Sequence, residues 1–207
     1  MDVNKLALDY SATLPMWVLE ELVEVPEAFE SDEQKMALVN TLARRNYREG
    51  TGGPFAALVV DSLTGELVSA GVNLVLGSGL SSAHAEVVTL SLAQARVGSW
   101  DLGADVDTPR ELIVNWRPCV QCYGATLWSG IRRLVVAGDG PELEHYTRFD
   151  EGPMVDDWAE QFEKRGIEVV QDVLRDEAIE VFREYGEVVA AGEVTVYNAR
   201  GTGPTAD

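Results

Sequence analysis

Residues 83–90, AHAEVVTL, and residues 117–122, RPCVQC, between them carry one of the two histidines and both cysteines of a 207-residue chain. Groups this scarce can act together only if the fold brings two stretches distant in sequence side by side. Cysteines three positions apart are poorly placed for a long-range disulfide, so the pair reads as a metal or redox site. Three metal-capable side chains and one acid, Glu86, are thus confined to two short segments.

The surrounding pattern alternates strands and helices. After a short helix around 15–24, Ser31 and Gln34 form a capping-box signature that opens a helix, with Met36, Val39, Leu42 and Tyr47 near one face and Gly50 at its end. Strands are expected at 55–61 (FAALVVD), 66–76, 111–116 (ELIVNW), 132–139 and 167–172, the first an apolar run suited to a buried position. Helices are expected at 82–96, 118–130, 154–166 and 174–186, and a loop at 140–153. This order implies an α/β sheet with helices on its faces. The chain divides into an N-terminal extension (1–30), a main domain (31–186) and a C-terminal tail (187–207) with one extended piece at 193–198.

Hydrophobic and charged contents of 46% and 25% are ordinary for a globular protein. No apolar run approaches the roughly 18–20 residues of a membrane span, and no basic segment precedes an apolar core at the N-terminus. Neither a membrane segment nor a signal peptide is expected, which suggests a cytoplasmic location. The net charge of −19, from 16 basic and 35 acidic residues, disfavours polyanionic partners, so no nucleic acid is expected.

Cys119 and Cys122 fall at a helix N-terminus, where Pro118 suits the first turn and the dipole favours thiolates. With His84 they make a Cys2His set, which leaves a fourth tetrahedral position for water, as in a catalytic rather than a structural Zn²⁺ site. Glu86 would carry protons beside the metal. Residues two apart in mid-helix point roughly 200° apart, so His84 and Glu86 converge only if His84 lies at the helix start, where Ser81 and Ser82 place it.

HAE followed by PCVQC matches the H-x-E…P-C-x-x-C signature of zinc-dependent nucleobase deaminases. The chain resembles the cytidine deaminase-like superfamily, within it the guanine deaminase and tRNA adenosine deaminase branch, over about residues 31–186. That resemblance implies a three-layer α/β fold with a central five-stranded mixed sheet, and Zn²⁺ held by His84, Cys119 and Cys122. It implies catalytic roles for Glu86 and Glu151, and substrate contacts from Phe55, Asn73, Ala83, Trp116, Asp150 and Tyr197. Asp150 and Glu151 also suit the start of a following helix, so both readings stand. For His145, in a Glu-rich stretch, a surface position is expected. One departure is Arg117, where the branch usually carries glutamate; pairing with acidic neighbours and a change of substrate choice are both open.

The expected activity is hydrolytic deamination of a free nucleobase or related aminated heterocycle, guanine favoured, with release of ammonia. A carboxylate can accept guanine's adjacent N1–H and amino N–H together, and adenine offers no such edge. A nucleoside deaminase, a tRNA adenosine deaminase and a non-catalytic zinc-binding module are the alternatives. The resemblance also implies a homodimer.

Overall fold

The computed structural model describes residues 3–198 and 201–202. Helices α1 (Met16–Leu22) and α2 (Asp32–Arg48) lead into strands β1 (Ala56–Asp61) and β2 (Leu67–Val72). A short helix α3 (Val75–Ser78) and a longer α4 (Ala85–Val97) precede β3 (Arg110–Val114), α5 (Val120–Trp128) and β4 (Arg133–Val136). Helices α6 (Glu142–Thr147) and α7 (Trp158–Glu163), strand β5 (Glu168–Val170) and helix α8 (Arg175–Ala190) follow. A two-stranded ribbon, β6 (Tyr197–Asn198) with β7 (Gly201–Thr202), ends the described chain.

The expected five-stranded mixed sheet is present, in the order β2-β1-β3-β4-β5. β1 is antiparallel to β2 and β3, whereas β3, β4 and β5 run parallel. Strand side chains alternate between two cores. Leu58, Ile113 and Val135 face α2 and α8, while Val59, Leu112 and Leu134 face the side closed by α4 and α7. A sheet buried on both faces explains why its strands read as unbroken apolar runs rather than alternating ones.

Several elements differ from expectation. The strand expected over 66–76 stops at Val72, because Asn73 Oδ1 accepts the Val75 N–H (3.2 Å) and turns the chain into α3. The loop expected over 140–153 contains α6, which packs on α8 through buried Leu143 and Thr147. α7 is shorter than 154–166, and α8 passes the expected boundary at 186 as Val188 and Val189 extend its apolar stripe. In the N-terminal segment, Trp17, Val18 and Phe29 are buried in the core. Of the tail expected over 187–207, residues 199–200 and 203–207 lie outside the described residues.

At the end of the sheet away from the starts of α4 and α5, Glu111 on β3 is 1% exposed and takes Lys35 Nζ at 2.6 Å and Arg133 Nη1 at 2.5 Å. Arg133 also grips Asp32 and holds its carboxyl at about 2. That depressed value stabilises the fold above about pH 4, and the contribution is lost as pH falls towards 2. Removing Glu111 leaves Lys35 and Arg133 to share Asp32 as their main remaining carboxylate: Glu111→Ala is expected to lower unfolding free energy by about 2 kcal/mol in urea denaturation at pH 7. A loss under about 1 kcal/mol would show the cluster to be solvent-screened.

Candidate active site

Because β1 opposes its neighbours, its first residues lie beside the last of β2 and β3: Ala56 pairs with Val72, and Ala57 with Val114. Phe55, Asn73 and Trp116 therefore gather at one sheet edge, where α4 and α5 also begin. Carboxyl ends of parallel strands are the usual ligand edge of open α/β sheets. Buried polar side chains tie this edge together. Asn115 Nδ2 donates to the Pro54 carbonyl (2.9 Å), and Asn46 Nδ2 donates to the carbonyls of Gly53 and Asn73, both at 2.8 Å. Gly52 is dictated by close approach, since a Cβ there would sit 2.3 Å from the Asn73 carbonyl oxygen.

His84 is the N-cap of α4 with extended backbone (φ −67°, ψ 155°), and Glu86 lies in the first turn. Leaving helical geometry at residue 84 lets both side chains serve one cavity. Cys119 is likewise the N-cap of α5 (φ −65°, ψ 171°). This corrects the expectation that Pro118 occupies the first helical turn: proline's fixed φ suits the extended approach equally well, and the helix starts at Val120. Cys122 then lies one turn in, and both sulfurs face His84 Nδ1, Cys119 at 3.4 Å and Cys122 at 3.5 Å.

The three ligand atoms lie within 4.8 Å of one another, and among the described residues no fourth protein ligand joins them. Tetrahedral zinc, with Zn–S about 2.3 Å and Zn–N about 2.05 Å, would hold sulfur and nitrogen about 3.6 Å apart. The observed spacing fits that ion with little adjustment. The side chains alone divide the charge unequally. Cys119 is brought down to about 4, chiefly by the Cys122 thiol donating to it and also by His84, against burial. Burial pushes the Cys122 thiol well up. Zinc would take both as thiolates and release the proton.

A cavity of about 660 Å³ opens over this set. Its aromatic wall includes Phe55, Trp116, Phe149 and Tyr197, with Phe149 centred 5.5 Å from Phe55 and 4.8 Å from Tyr197. Two carboxyls face it from buried positions, Glu86 and Glu151. Burial raises Glu86, and the Cys119 charge adds to the effect. Burial lifts Glu151 to about 8, with Cys119 and Glu86 adding and Arg117 and His84 opposing. Carboxyls whose hold on a proton is strengthened in this way are suited to carrying protons.

The remaining sequence-selected residues divide. Asn73 lines the cavity, and its Oδ1 accepts the Tyr197 hydroxyl (2.6 Å) as well as the Val75 N–H, so its Nδ2 is the end left for a ligand. Tyr197 also accepts the Gly53 N–H at 3.0 Å, which seals one side. Asp150 is exposed at the rim and caps the Gly152 N–H (2.8 Å); neither it nor Glu151 begins a helix. Ala83 is not brought to the cavity wall: its N–H donates to the Leu80 carbonyl (3.0 Å), and its carbonyl accepts the Leu74 N–H (2.8 Å). His145 is exposed on α6, as expected. Sequence reading missed Phe149. It is turned inward because Arg148 closes α6 in the left-handed region (φ 63°), and its only signal was an apolar residue beside two candidate acids.

Residues 29–138 match the family described as the cytidine and deoxycytidylate deaminase zinc-binding region. The chain belongs to this family. Zinc is therefore the metal that the Cys2His set serves. Among curated relatives, the guanine deaminase of Bacillus subtilis is 31% identical over 99 residues, 48% of this chain and 59% of that enzyme's length. The tRNA-specific adenosine deaminase of Buchnera aphidicola is 26% identical over 140 residues, 67% of this chain and 84% of that one. Among solved structures, a guanine deaminase from Nitrosomonas europaea superposes with a TM-score of 0.81 at 39% identity, covering 88% of this chain and 98% of the other. The fold is thus the deaminase fold over nearly the whole chain.

Proposed function

We propose that this chain is a zinc-dependent hydrolytic deaminase of a free purine base, guanine first, releasing ammonia. The observation that carries the reading is the convergence of His84, Cys119 and Cys122 with two buried carboxyls in one aromatic cavity. His84, Cys119 and Cys122 would hold the ion. When bound, zinc supplies the Lewis acidity that lets water ionise near pH 7. Glu86 takes the proton of the attacking water and delivers it to the departing amine. Glu151 in its ionised form accepts the adjacent N1–H and amino N–H of guanine, the charge of bound zinc offsetting the Cys119 thiolate that helps raise this carboxyl, and Asn73 Nδ2 donates to a ring acceptor. The aromatic wall flanks the planar base and excludes bulk water, which strengthens each polar contact.

Relatives named guanine deaminase support this choice. The tRNA reading is supported by a more distant relative, and the net charge of −19 opposes it because an acidic surface repels an RNA stem-loop. An ammonia-release assay on the zinc-loaded protein, over guanine, adenine, cytosine, guanosine and a triazine, is expected to rank guanine first by about tenfold or more. A lead for guanosine or cytosine would displace the reading.

The free thiols of Cys119 and Cys122 suit a reducing, cytoplasmic setting. We also propose a homodimer, for which Trp100 (77% exposed) and Trp128 (83% exposed) offer apolar surface. Light scattering at micromolar concentration should give twice 22.6 kDa; a single-chain mass would overturn the dimer.

A further inference from the structure

Beyond β3 the chain carries Arg117 into the cavity wall, and its side chain is only 11% exposed. One edge of the guanidinium is clamped, as Nε donates to Asp139 Oδ1 at 2.7 Å. Asp139 is itself fixed, because its Oδ2 accepts Trp158 Nε1 and its Oδ1 accepts the Gly140 N–H, both at 2.7 Å. The other edge is free. Nη1 is buried and has no acceptor among the described residues. A buried charged donor left unpaired is costly, and such groups call for an explanation in a native fold. Nη1 has almost no surface open to the cavity, so an acceptor on a ligand supplies one once the guanidinium of this wall residue rotates slightly towards it. Arg117 also lies near enough to Glu151 for its charge to oppose the upward push of burial on that carboxyl.

We propose that Arg117 is a specificity-determining residue that donates, through its free Nη edge, to the ring carbonyl oxygen next to the N–H accepted by Glu151. Acceptor and donor side by side then match a lactam edge, N–H beside C=O. They mismatch a ring with an unprotonated nitrogen beside an amino group. The inference rests on the guanine reading and deepens it, since Glu151 alone reads the N–H and leaves the neighbouring position undecided.

The test is equilibrium binding of 8-azaguanine, which keeps the lactam, and 2,6-diaminopurine, which replaces the carbonyl by an amino group. Both are titrated onto zinc-loaded wild type, Arg117→Lys and Arg117→Ala, with zinc content and circular dichroism checked for each. Arg117→Ala is expected to weaken 8-azaguanine by about 10–100-fold and 2,6-diaminopurine by less than about threefold, with Arg117→Lys in between. Equal losses for both ligands would make Arg117 a structural clamp on Asp139, and no loss for either would remove it from the site; both outcomes overturn the assignment. If Arg117→Ala does not fold, the affinity ratio in Arg117→Lys decides, and a ratio equal to wild type overturns it. Wild type that binds neither ligand overturns the guanine reading and this assignment together.

Discussion

Glu86→Gln is expected to lower kcat by about 10³–10⁴-fold while the protein keeps one zinc per chain. Glutamine preserves size and hydrogen-bonding reach but carries no proton between water and amine, and positioned acid–base groups contribute about 10²–10⁴ in rate. The upper part of that range applies because Glu86 is buried and faces the cavity from the first turn of α4, two residues after His84. Little bulk water reaches it to substitute as a proton carrier. KM should change far less than kcat, since the group acts on the transition state rather than on uniform binding. Steady-state ammonia release with metal analysis on the same sample checks the prediction. Turnover within tenfold of wild type would remove Glu86 from proton transfer.

Much of this site was legible in the sequence because its chemistry needs rare residue types at fixed spacing. The two-residue step from His84 to Glu86 demanded a helix start, and the N-cap at His84 meets that demand. The sheet was legible from apolar runs, since a strand buried on both faces has no polar side to show. The misses arise where local signals are degenerate and tertiary packing decides. Pro118 suits a first helical turn and an extended approach alike, so Cys119 could not be placed as a cap. α6 is written in mostly polar residues, and only its packing on α8 shows that Leu143 and Thr147 form its buried side. Trp17 and Val18 look like a peripheral helix until they are seen buried in the core, with the Arg45 guanidinium of α2 over the Trp17 ring. Arg117 was visible as a departure from its branch, but its clamp depends on Asp139, which follows β4 and meets it only through the parallel register of β3 and β4.

Cys122→Ser is expected to abolish measurable deamination and to remove stoichiometric zinc. Cys122 is fully buried and faces the imidazole from the first turn of α5. A serine hydroxyl there is a far poorer ligand than a thiolate for zinc, which binds Cys sulfur strongly. Because metal binding is coupled to folding, the wild type should gain thermal stability when zinc is added and Cys122→Ser should not. Differential scanning fluorimetry with and without zinc reads this directly, and a variant that retains both metal and its thermal shift would exclude Cys122 as a ligand.

Zinc-edge X-ray absorption on the purified wild type, combined with metal quantification, bears most directly on the way α4 and α5 are joined. One zinc per chain, with two sulfurs at about 2.3 Å, one imidazole nitrogen at about 2.0–2.1 Å and one light oxygen atom, is the predicted result. A protein without stoichiometric zinc, or a metal closed by four protein ligands, would contradict it.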